Sequence, residues 1–179
     1  MKKILILSSS SRKQGNSDCL ADAFEKGATR VGHCVEKIYI KDMDLKFCTG
    51  CLSCQVSGKC PLQDDVAMLL EKMRTSDVLV FATPIYFYEM SGQMKTLLDR
   101  TNPLYGSDYK FEDIYLIASA AEEERSAMDG AIKGIEGWIS CFERTQLKGV
   151  VYGTGLTGIE DVKKNSSLLQ ETMQLGEHV

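Results

Sequence analysis

Five short, largely apolar runs separated by segments of helical periodicity constrain the fold of this chain more than any other feature. Their Val, Ile and Tyr content is typical of strands buried on both faces of a sheet. The runs are KKILILS at 2–8, CVEKIYI at 34–40, DVLVFAT at 77–83, DIYLIAS at 113–119 and KGVVYG at 148–153. Strict alternation of such strands with helices predicts a parallel sheet covered by helices on both sides, a three-layer α/β/α sandwich.

The segments between these strands repeat apolar residues at helical spacing. The pattern is clearest before the fifth strand, in a stripe formed by Met128, Ile132, Ile135, Ile139 and Phe142. Asp64 or Asp65 is placed to cap the second helix. The last helix is predicted at roughly 159–174, with Thr157 as a candidate cap.

Length and charge indicate one globular domain over residues 1–179 without a polyanionic partner. The 179 residues are 44% hydrophobic, enough for a sizeable core. The net charge is -4, and Lys and Arg are spread along the chain. This distribution lacks the basic patch that nucleic acid or an anionic membrane surface requires. We therefore expect neither partner.

The cysteine content and the apolar runs favour a reducing compartment. No run approaches the roughly twenty apolar residues that span a bilayer, and the apolar part of MKKILILSSS is too short for a secretion signal. Seven cysteines also suit an oxidised secreted scaffold, but that class is smaller and rich in loops. We expect a cytoplasmic protein.

The loop after the first strand has the composition of an anion site. SSSSRKQGNS, residues 8–17, combines five hydroxyls, Arg12, Gly15 and Asn16 at a predicted helix start, where free N–H groups and the helix dipole attract an anion. It matches neither the G-x-x-x-x-G-K-[ST] nor the G-x-G-x-x-G motif. The alternative is a solvated loop with Asn16 or Ser17 as a simple helix cap. The position of the loop beyond the first strand favours a ligand site over a simple cap.

Two segments resemble the flavodoxin-like NAD(P)H-dependent FMN reductases. SSSRKQGNS is similar to their phosphate loop G-S-P-R-x-x-G-N-[ST], with Ser9 and Ser11 in place of Gly and Pro. TPIYFYEMSGQMKTLLDRT at 83–101 is similar to P-[VI]-Y-x-x-x-x-[ST]-G-x-[ML]-K-x-[FL]-[LI]-D-R. The cysteine window followed by two Asp resembles the iron-sulfur flavoprotein branch. The resemblance implies a doubly wound five-stranded parallel sheet of order 2-1-3-4-5.

The resemblance assigns three loops to FMN. The first holds the phosphate through Ser10, Arg12, Asn16 and Ser17, with Gly15 letting the backbone approach. The loop after the third strand passes along the isoalloxazine ring with Pro84, Ile85, Tyr86 and Phe87. The loop after the fourth strand contributes Ser119 and Ala120. By composition alone, the aromatic residues of the second loop could instead be ordinary core residues.

The cysteine-rich loop at 46–63 has the spacing C-x2-C-x2-C-x5-C-P, close to the ferredoxin run C-x2-C-x2-C-x3-C-P. The resemblance implies a 4Fe-4S cluster on Cys48, Cys51, Cys54 and Cys60. Two alternatives stay open: a four-thiolate zinc site, which the continuous run disfavours, and a thiol-disulfide switch near Lys46 and Lys59. The remaining cysteines, Cys19, Cys34 and Cys141, are predicted to be small buried hydrophobic residues.

The resulting hypothesis is an FMN-dependent oxidoreductase that takes electrons from NAD(P)H and reduces flavin, quinone or another small acceptor. The flavin carries the chemistry, so no catalytic side chain is assigned, and His33 and His178 alone support no triad. Alternatives are an iron-sulfur electron carrier that serves a redox protein, a non-enzymatic flavin-binding redox sensor, and an unrelated phosphate-ligand domain. The resemblance also implies a homodimer or homotetramer in which a neighbour helps complete the flavin pocket.

Overall fold

One sheet organises the chain in the computed structural model, which describes residues 1–179. Its strands are β1 (Lys3–Ser8), β2 (Cys34–Tyr39), β3 (Val78–Tyr86), β4 (Glu89–Met90), β5 (Asp113–Ser119) and β6 (Gln146–Gly153). Five strands run parallel in the order β2-β1-β3-β5-β6, and the short β4 pairs antiparallel with the end of β3. The predicted α/β/α architecture and its order 2-1-3-4-5 are confirmed, since β4 only adds a hairpin arm.

Six α-helices cover the sheet or extend from it. They are α1 (Asn16–Arg30), α2 (Ser53–Ser57), α3 (Val66–Arg74), α4 (Gly92–Asp99), α5 (Asp129–Ile139) and α6 (Ser166–Glu177). None of them combines the length and the apolar character needed to cross a lipid bilayer. At the start of α3, Asp65 occupies the cap position, but it is the Asp64 carboxylate that accepts the Val66 N–H, at 3.2 Å.

The predicted start of the last helix was wrong. Residues 161–164 form a 3-10 turn, and α6 begins only at Ser166. Asn165 caps α6, since its Oδ1 accepts the N–H of Leu168 at 3.1 Å. Thr157 instead contacts the Asp161 carboxylate, at 3.3 Å. A stronger cap further along the chain therefore sets the helix start.

Alternating residues of the central strands enter two separate cores. On β1, Leu5 and Leu7 join a cluster of 26 buried residues, whereas Ile4 and Ile6 join a cluster of 15 that includes Phe24 of α1. All four β1 side chains are at most 1% exposed. Because a strand alternates its side chains between faces, burial on both faces explains the nearly unbroken apolar runs of the sequence.

Two glycines bring α1 and α6 into backbone contact. A Cβ atom added to Gly27 would lie 1.9 Å from the Met173 carbonyl oxygen, and one added to Gly176 would lie 2.2 Å from the Phe24 carbonyl oxygen. Both neighbouring atoms belong to the backbone and cannot move aside as the end of a flexible side chain could. The helices therefore pack closely only because both positions lack a side chain.

Replacing Gly27 by Ala should lower the free energy of unfolding by about 1–3 kcal/mol or more, because the methyl group forces the two helix backbones apart. The matched control is Gly137→Ala on α5, where an added Cβ meets nothing within 4 Å. That change should raise stability by up to about 1 kcal/mol, through helix propensity alone. Urea denaturation of both variants checks the difference, and equal midpoints would contradict the close approach.

Candidate functional site

A pocket of about 230 Å³ lies at the carboxyl ends of β1, β3 and β5, where the three predicted loops meet. The first loop and the start of α1 contribute Ser10, Ser11, Arg12, Gly15, Asn16 and Ser17. The end of β3 contributes Pro84, Ile85 and Tyr86, and the end of β5 contributes Ser119. Ligands of parallel α/β sheets bind at this edge, because the helix N-termini and the irregular loops converge there. The structure thus brings together most of the residues that the sequence predicts.

The first loop forms a cradle with backbone donors. Ser10 Oγ donates to the Arg12 carbonyl at 2.8 Å, which curls the loop back on itself. A Cβ at Gly15 would lie 3.1 Å from that same oxygen and 3.2 Å from Ser10 Oγ, so a side chain would fill the cradle. Gly15 also caps α1 without a side-chain bond, which leaves the first-turn N–H groups of the helix to a ligand. With the exposed Arg12 beside them, these donors fit a phosphate.

The side chain of Asn16 is directed to another loop. Its Nδ2 donates to the carbonyls of Leu156 and Gly158, at 3.3 and 2.7 Å, and its Oδ1 accepts the N–H of Val162 at 3.1 Å. The amide is therefore used to hold the segment after β6. Asn16 still lines the pocket, but its side-chain role here is to position that segment, and a direct phosphate contact stays a prediction.

A buried ion pair beneath the loop sets its shape. Asp18 is fully buried, and its Oδ2 accepts the N–H of Gln14 at 2.8 Å, where the backbone is left-handed with φ 62°. Lys37 of β2 donates to Asp18 Oδ1 at 3.0 Å. Burial alone would lower the pKa of Lys37, but its hydrogen bonds, the strongest with Asp22, raise that pKa above its ordinary value. The Lys37 ammonium group is thus held against Asp18. Neither residue of this pair was predicted from the sequence.

The aromatic loop is a strained hairpin outside the core. Ile85 and Tyr86 pair with Met90 and Glu89, and the two residues between them, Phe87 and Tyr88, have φ of 50° and 64°. Such left-handed angles match a two-residue hairpin but are costly for aromatic side chains. Tyr86 is half-exposed and lines the pocket, whereas Phe87 is fully exposed at the tip. The alternative of core aromatics is therefore wrong.

Helix α5 holds this hairpin in place. A Cβ at Gly130 would lie 2.4 Å from the Tyr88 carbonyl oxygen, and one at Gly134 would lie 2.7 Å from the Met90 methyl group. The hairpin backbone therefore rests directly on the helix. Two small residues at i and i+4 spacing let a strained turn sit against a rigid element.

The third loop differs in one residue from the prediction. Ser119 lines the pocket, but Ala120 is 4% exposed and lies below it, while Ala121 reaches the pocket wall. Ala120 is held there because its N–H donates to the Gly153 carbonyl at 2.8 Å and its own carbonyl accepts the Leu156 N–H at 2.9 Å.

A fourth segment of the pocket wall was missed. It consists of Leu156, Thr157, Gly158 and Ile159. These residues follow β6, the last parallel strand, and the rule that ligands bind beyond strand carboxyl ends would have indicated them. The prediction of a helix from about 159 onward hid this segment.

The cysteine-rich loop lies on the surface with all its thiols free. Cys48 and Cys51 are exposed, and Cys54 and Cys60 are partly buried. No three His, Cys, Asp or Glu side chains lie close enough together to hold a metal ion. The four thiols as arranged here do not form a cage for a cluster, which stays a prediction. A hydrogen bond from Ser53 lowers the pKa of the Cys51 thiol.

The other three cysteines only partly follow the prediction of burial. Cys19 is buried on α1, but Cys34 and Cys141 are exposed. Cys34 starts β2, which lies at the edge of the sheet, and Cys141 follows the end of α5. Apolar residue type alone could not distinguish an edge position or a helix end from the core.

An open groove adjoins the pocket on the far side of Tyr86. It encloses about 810 Å³, and its apolar side consists of Ile40, Met43, Leu45, Phe47 and Tyr86. Lys41 and Lys95 line its polar side, each beside an Asp with which it forms an ion pair. The pocket and the groove thus share one aromatic wall.

Comparison with known proteins agrees with this geometry. Residues 2–129 match the family described as NADPH-dependent FMN reductase. An iron-sulfur flavoprotein of Methanocaldococcus jannaschii is 37% identical over 102 residues, which are 57% of this chain and 53% of that protein. A Bacillus subtilis protein named as an NAD(P)H-dependent FMN-containing oxidoreductase is 30% identical over 162 residues, covering 86% of this chain and 85% of its own. The matched region spans about half the length of the first iron-sulfur flavoproteins.

Solved structures show the same fold at low sequence identity. An azoreductase from Bacillus anthracis has a TM-score of 0.76 with 17% identity, covering all of both chains. An NAD(P)H:quinone oxidoreductase from Methanothermobacter marburgensis has a TM-score of 0.74 with 18% identity, covering 98% of both chains.

Replacing Lys37 by Met should lower the free energy of unfolding by about 3 kcal/mol or more, because it leaves the Asp18 carboxylate buried without its cation. The control is Lys41→Met, four residues away, which removes a partly exposed ion pair with Asp42. That variant should lose less than about 1 kcal/mol. Urea denaturation measures both, and a Lys37 effect no larger than that of Lys41 would refute the buried anchor.

Proposed function

Since the chain belongs to the NADPH-dependent FMN reductase family, we propose that it binds FMN, oxidises NAD(P)H and reduces flavin, quinone or another small acceptor. The observation that supports this most is the meeting of two features at one sheet edge. They are the anion cradle at the start of α1 and the aromatic hairpin after β3. FMN has a phosphate at one end, which suits the anion cradle, and a planar ring at the other, which suits the aromatic hairpin.

The cradle is suited to the phosphate group. The N–H groups at the start of α1 and the Arg12 guanidinium supply positive charge, and Gly15 keeps the space open. Ser17 lies at the same helix end and is almost fully buried. Buried hydroxyls and backbone donors hold an anion without adding a counter-charge that must itself be desolvated.

The hairpin and Ser119 are suited to the ring. The last three residues of β3, Pro84, Ile85 and Tyr86, line the pocket. Their peptide groups offer polar contacts to the ring edge, while Tyr86 covers an apolar face. Phe87 does not line the pocket of its own chain. If this side chain contacts a flavin, that flavin is bound to a second copy of the chain.

FMN, when bound, supplies the hydride and electron chemistry. The chain's own residues bind and orient it, because the pocket wall carries no His, Asp, Glu or Cys that could act as acid, base or nucleophile. His33 is used elsewhere, its Nδ1 accepting the Lys2 N–H at 3.0 Å. The groove beyond Tyr86 is the natural place for a planar acceptor, since its apolar side adjoins the same aromatic wall.

An iron-sulfur electron carrier is the second candidate function. Its support is the relative of M. jannaschii that is named as an iron-sulfur flavoprotein, together with the four cysteines in one loop. In the structure these thiols do not converge. Iron and acid-labile sulfide, assayed on anaerobically purified protein, distinguish the two: about four irons per chain support the carrier, and none supports the plain reductase.

Arg12→Ala should weaken FMN binding by about tenfold to a hundredfold, the usual cost of losing a hydrogen bond to a charged group. The control is its neighbour Lys13→Ala, whose side chain pairs loosely with Asp42 at 3.8 Å, and which should change affinity by less than about twofold. Quenching of flavin fluorescence gives both dissociation constants. Failure of the unaltered chain to take up FMN would end the proposal, and failure to oxidise NADH or NADPH would leave only a flavin-binding protein.

We further propose that a second copy of the chain covers the exposed aromatic tip. Phe87 is fully exposed and its hairpin neighbours Tyr86 and Tyr88 are at least half-exposed, so three aromatic side chains of one hairpin contact water together. Phe87→Ser should raise the dissociation constant of the homodimer about tenfold or more, as for a central interface aromatic. The control Val56→Ser alters a residue of α2 that is 93% exposed. Analytical ultracentrifugation measures both, and an unaltered chain that is monomeric would refute this surface.

A further inference from the structure

A buried ion pair closes the base of the cysteine-rich loop. Arg100 follows the last residue of α4, and its side chain is 1% exposed, while that of Asp64 is fully buried. The guanidinium binds the carboxylate through two nitrogens, with Nη1 to Oδ2 at 2.6 Å and Nη2 to Oδ1 at 3.1 Å. This fork geometry fixes the orientation of both groups.

The same guanidinium contacts both limbs of the loop. Its Nη1 also donates to the Lys46 carbonyl at 2.5 Å, and its Nη2 donates to Cys60 Sγ at 3.3 Å. Asp64 Oδ2 in turn accepts the Lys46 N–H at 3.0 Å. One side chain thus joins Lys46 at the start of the loop, Cys60 within it and Asp64 directly after it. The residues from Phe47 to Lys59 are almost entirely exposed and have no comparable anchor.

Helix α4 connects this anchor to the flavin pocket. At its other end, Ser91 caps the helix, its Oγ donates to Ser9 Oγ at 2.8 Å, and its N–H donates to Thr83 Oγ1 at 3.0 Å. Ser9 directly follows β1, and Thr83 lies in the carboxyl-terminal half of β3. The eight residues of α4 form a rigid rod of about 12 Å. The loop base is therefore held at a fixed distance from the pocket edge.

Stability alone does not explain such a pair. A well-packed apolar pair of similar volume is often at least as stable as a buried ion pair, and Arg100 Nε has no hydrogen-bond partner at all. What an apolar pair cannot do is bind a backbone carbonyl and a sulfur atom on opposite limbs of a loop. The directional contacts of the guanidinium are therefore its distinguishing feature.

We propose that Arg100 is a positioning residue that holds the cysteine-rich loop closed and Cys60 in place at the end of α4. It thereby sets how accessible the Cys60 thiol is. This role goes beyond the reductase activity and concerns the loop with its thiols free. The residue touches neither the flavin pocket nor the adjoining groove.

Alkylation of individual cysteines in the intact chain tests the proposal. Anaerobically purified protein is treated with N-ethylmaleimide, and peptide mass spectrometry follows each thiol over time. Arg100→Met should accelerate alkylation of Cys60 about tenfold, the effect of losing a hydrogen bond from a charged donor. Cys34 and Cys141, which are exposed outside the loop, are internal controls and should react at unchanged rates.

Two further variants protect the test from misfolding. Arg100→Lys keeps the charge but loses the two-nitrogen contact with Asp64. It should therefore raise the alkylation rate of Cys60 by less than Arg100→Met does. The double variant Arg100→Met with Asp64→Leu removes both charges, so no uncompensated group stays buried, and it should still open the loop. An unchanged Cys60 rate in the folded double variant would overturn the proposal. Equal acceleration at Cys34 and Cys141 would also overturn it, since Arg100 would then stabilise the whole fold.

The readout is independent of the proposed flavin chemistry. Alkylation rates need neither FMN nor NAD(P)H, so a failure of flavin binding in the unaltered chain leaves this result valid. Flavin affinity measured on Arg100→Met supplies the converse control. We expect it to change by less than about twofold, because the lost contacts are to the loop. A large loss of affinity with an unchanged Cys60 rate would assign Arg100 to the flavin pocket instead.

Discussion

Burial of the parallel sheet on both faces is the constraint on which the rest of this structure depends. Because Ile4 and Ile6 enter one core and Leu5 and Leu7 the other, the middle of β1 has no place for a charged side chain. Charged and irregular segments are therefore displaced to the strand ends. At the carboxyl edge they meet the free N–H groups of helix starts, which makes that edge the place for an anionic ligand.

Two buried ion pairs then give shape to two loops of the chain. Lys37 and Asp18 hold the first loop in its left-handed turn, and Arg100 and Asp64 close the cysteine-rich loop. In each pair the carboxylate also accepts a backbone N–H. A buried carboxylate that must satisfy several acceptor sites is well suited to fix a loop, because moving the loop would leave a charge unpaired.

The sequence predicted the elements well where burial is uniform and poorly where it is not. The five long strands were found because a doubly buried strand is apolar throughout. Cys34 was misplaced because an edge strand has the same residue types but one open side. The last helix was started too early, since Asn165 is a better cap than Thr157. The hairpin after β3 was read only as an aromatic loop, because left-handed Phe and Tyr residues have no sequence signal.

The sequence by itself determined the fold class, the family and three of the four segments that form the pocket, because periodicity and loop motifs are local properties of the chain. Only the tertiary structure decided which polar atoms are free for a ligand. Asn16 belongs to the predicted motif, yet its amide is occupied by residues about 140 positions away. Arg100 is joined to Cys60 across 40 positions. Such partners are chosen by packing in three dimensions, where the cost of an unsatisfied buried group selects one arrangement.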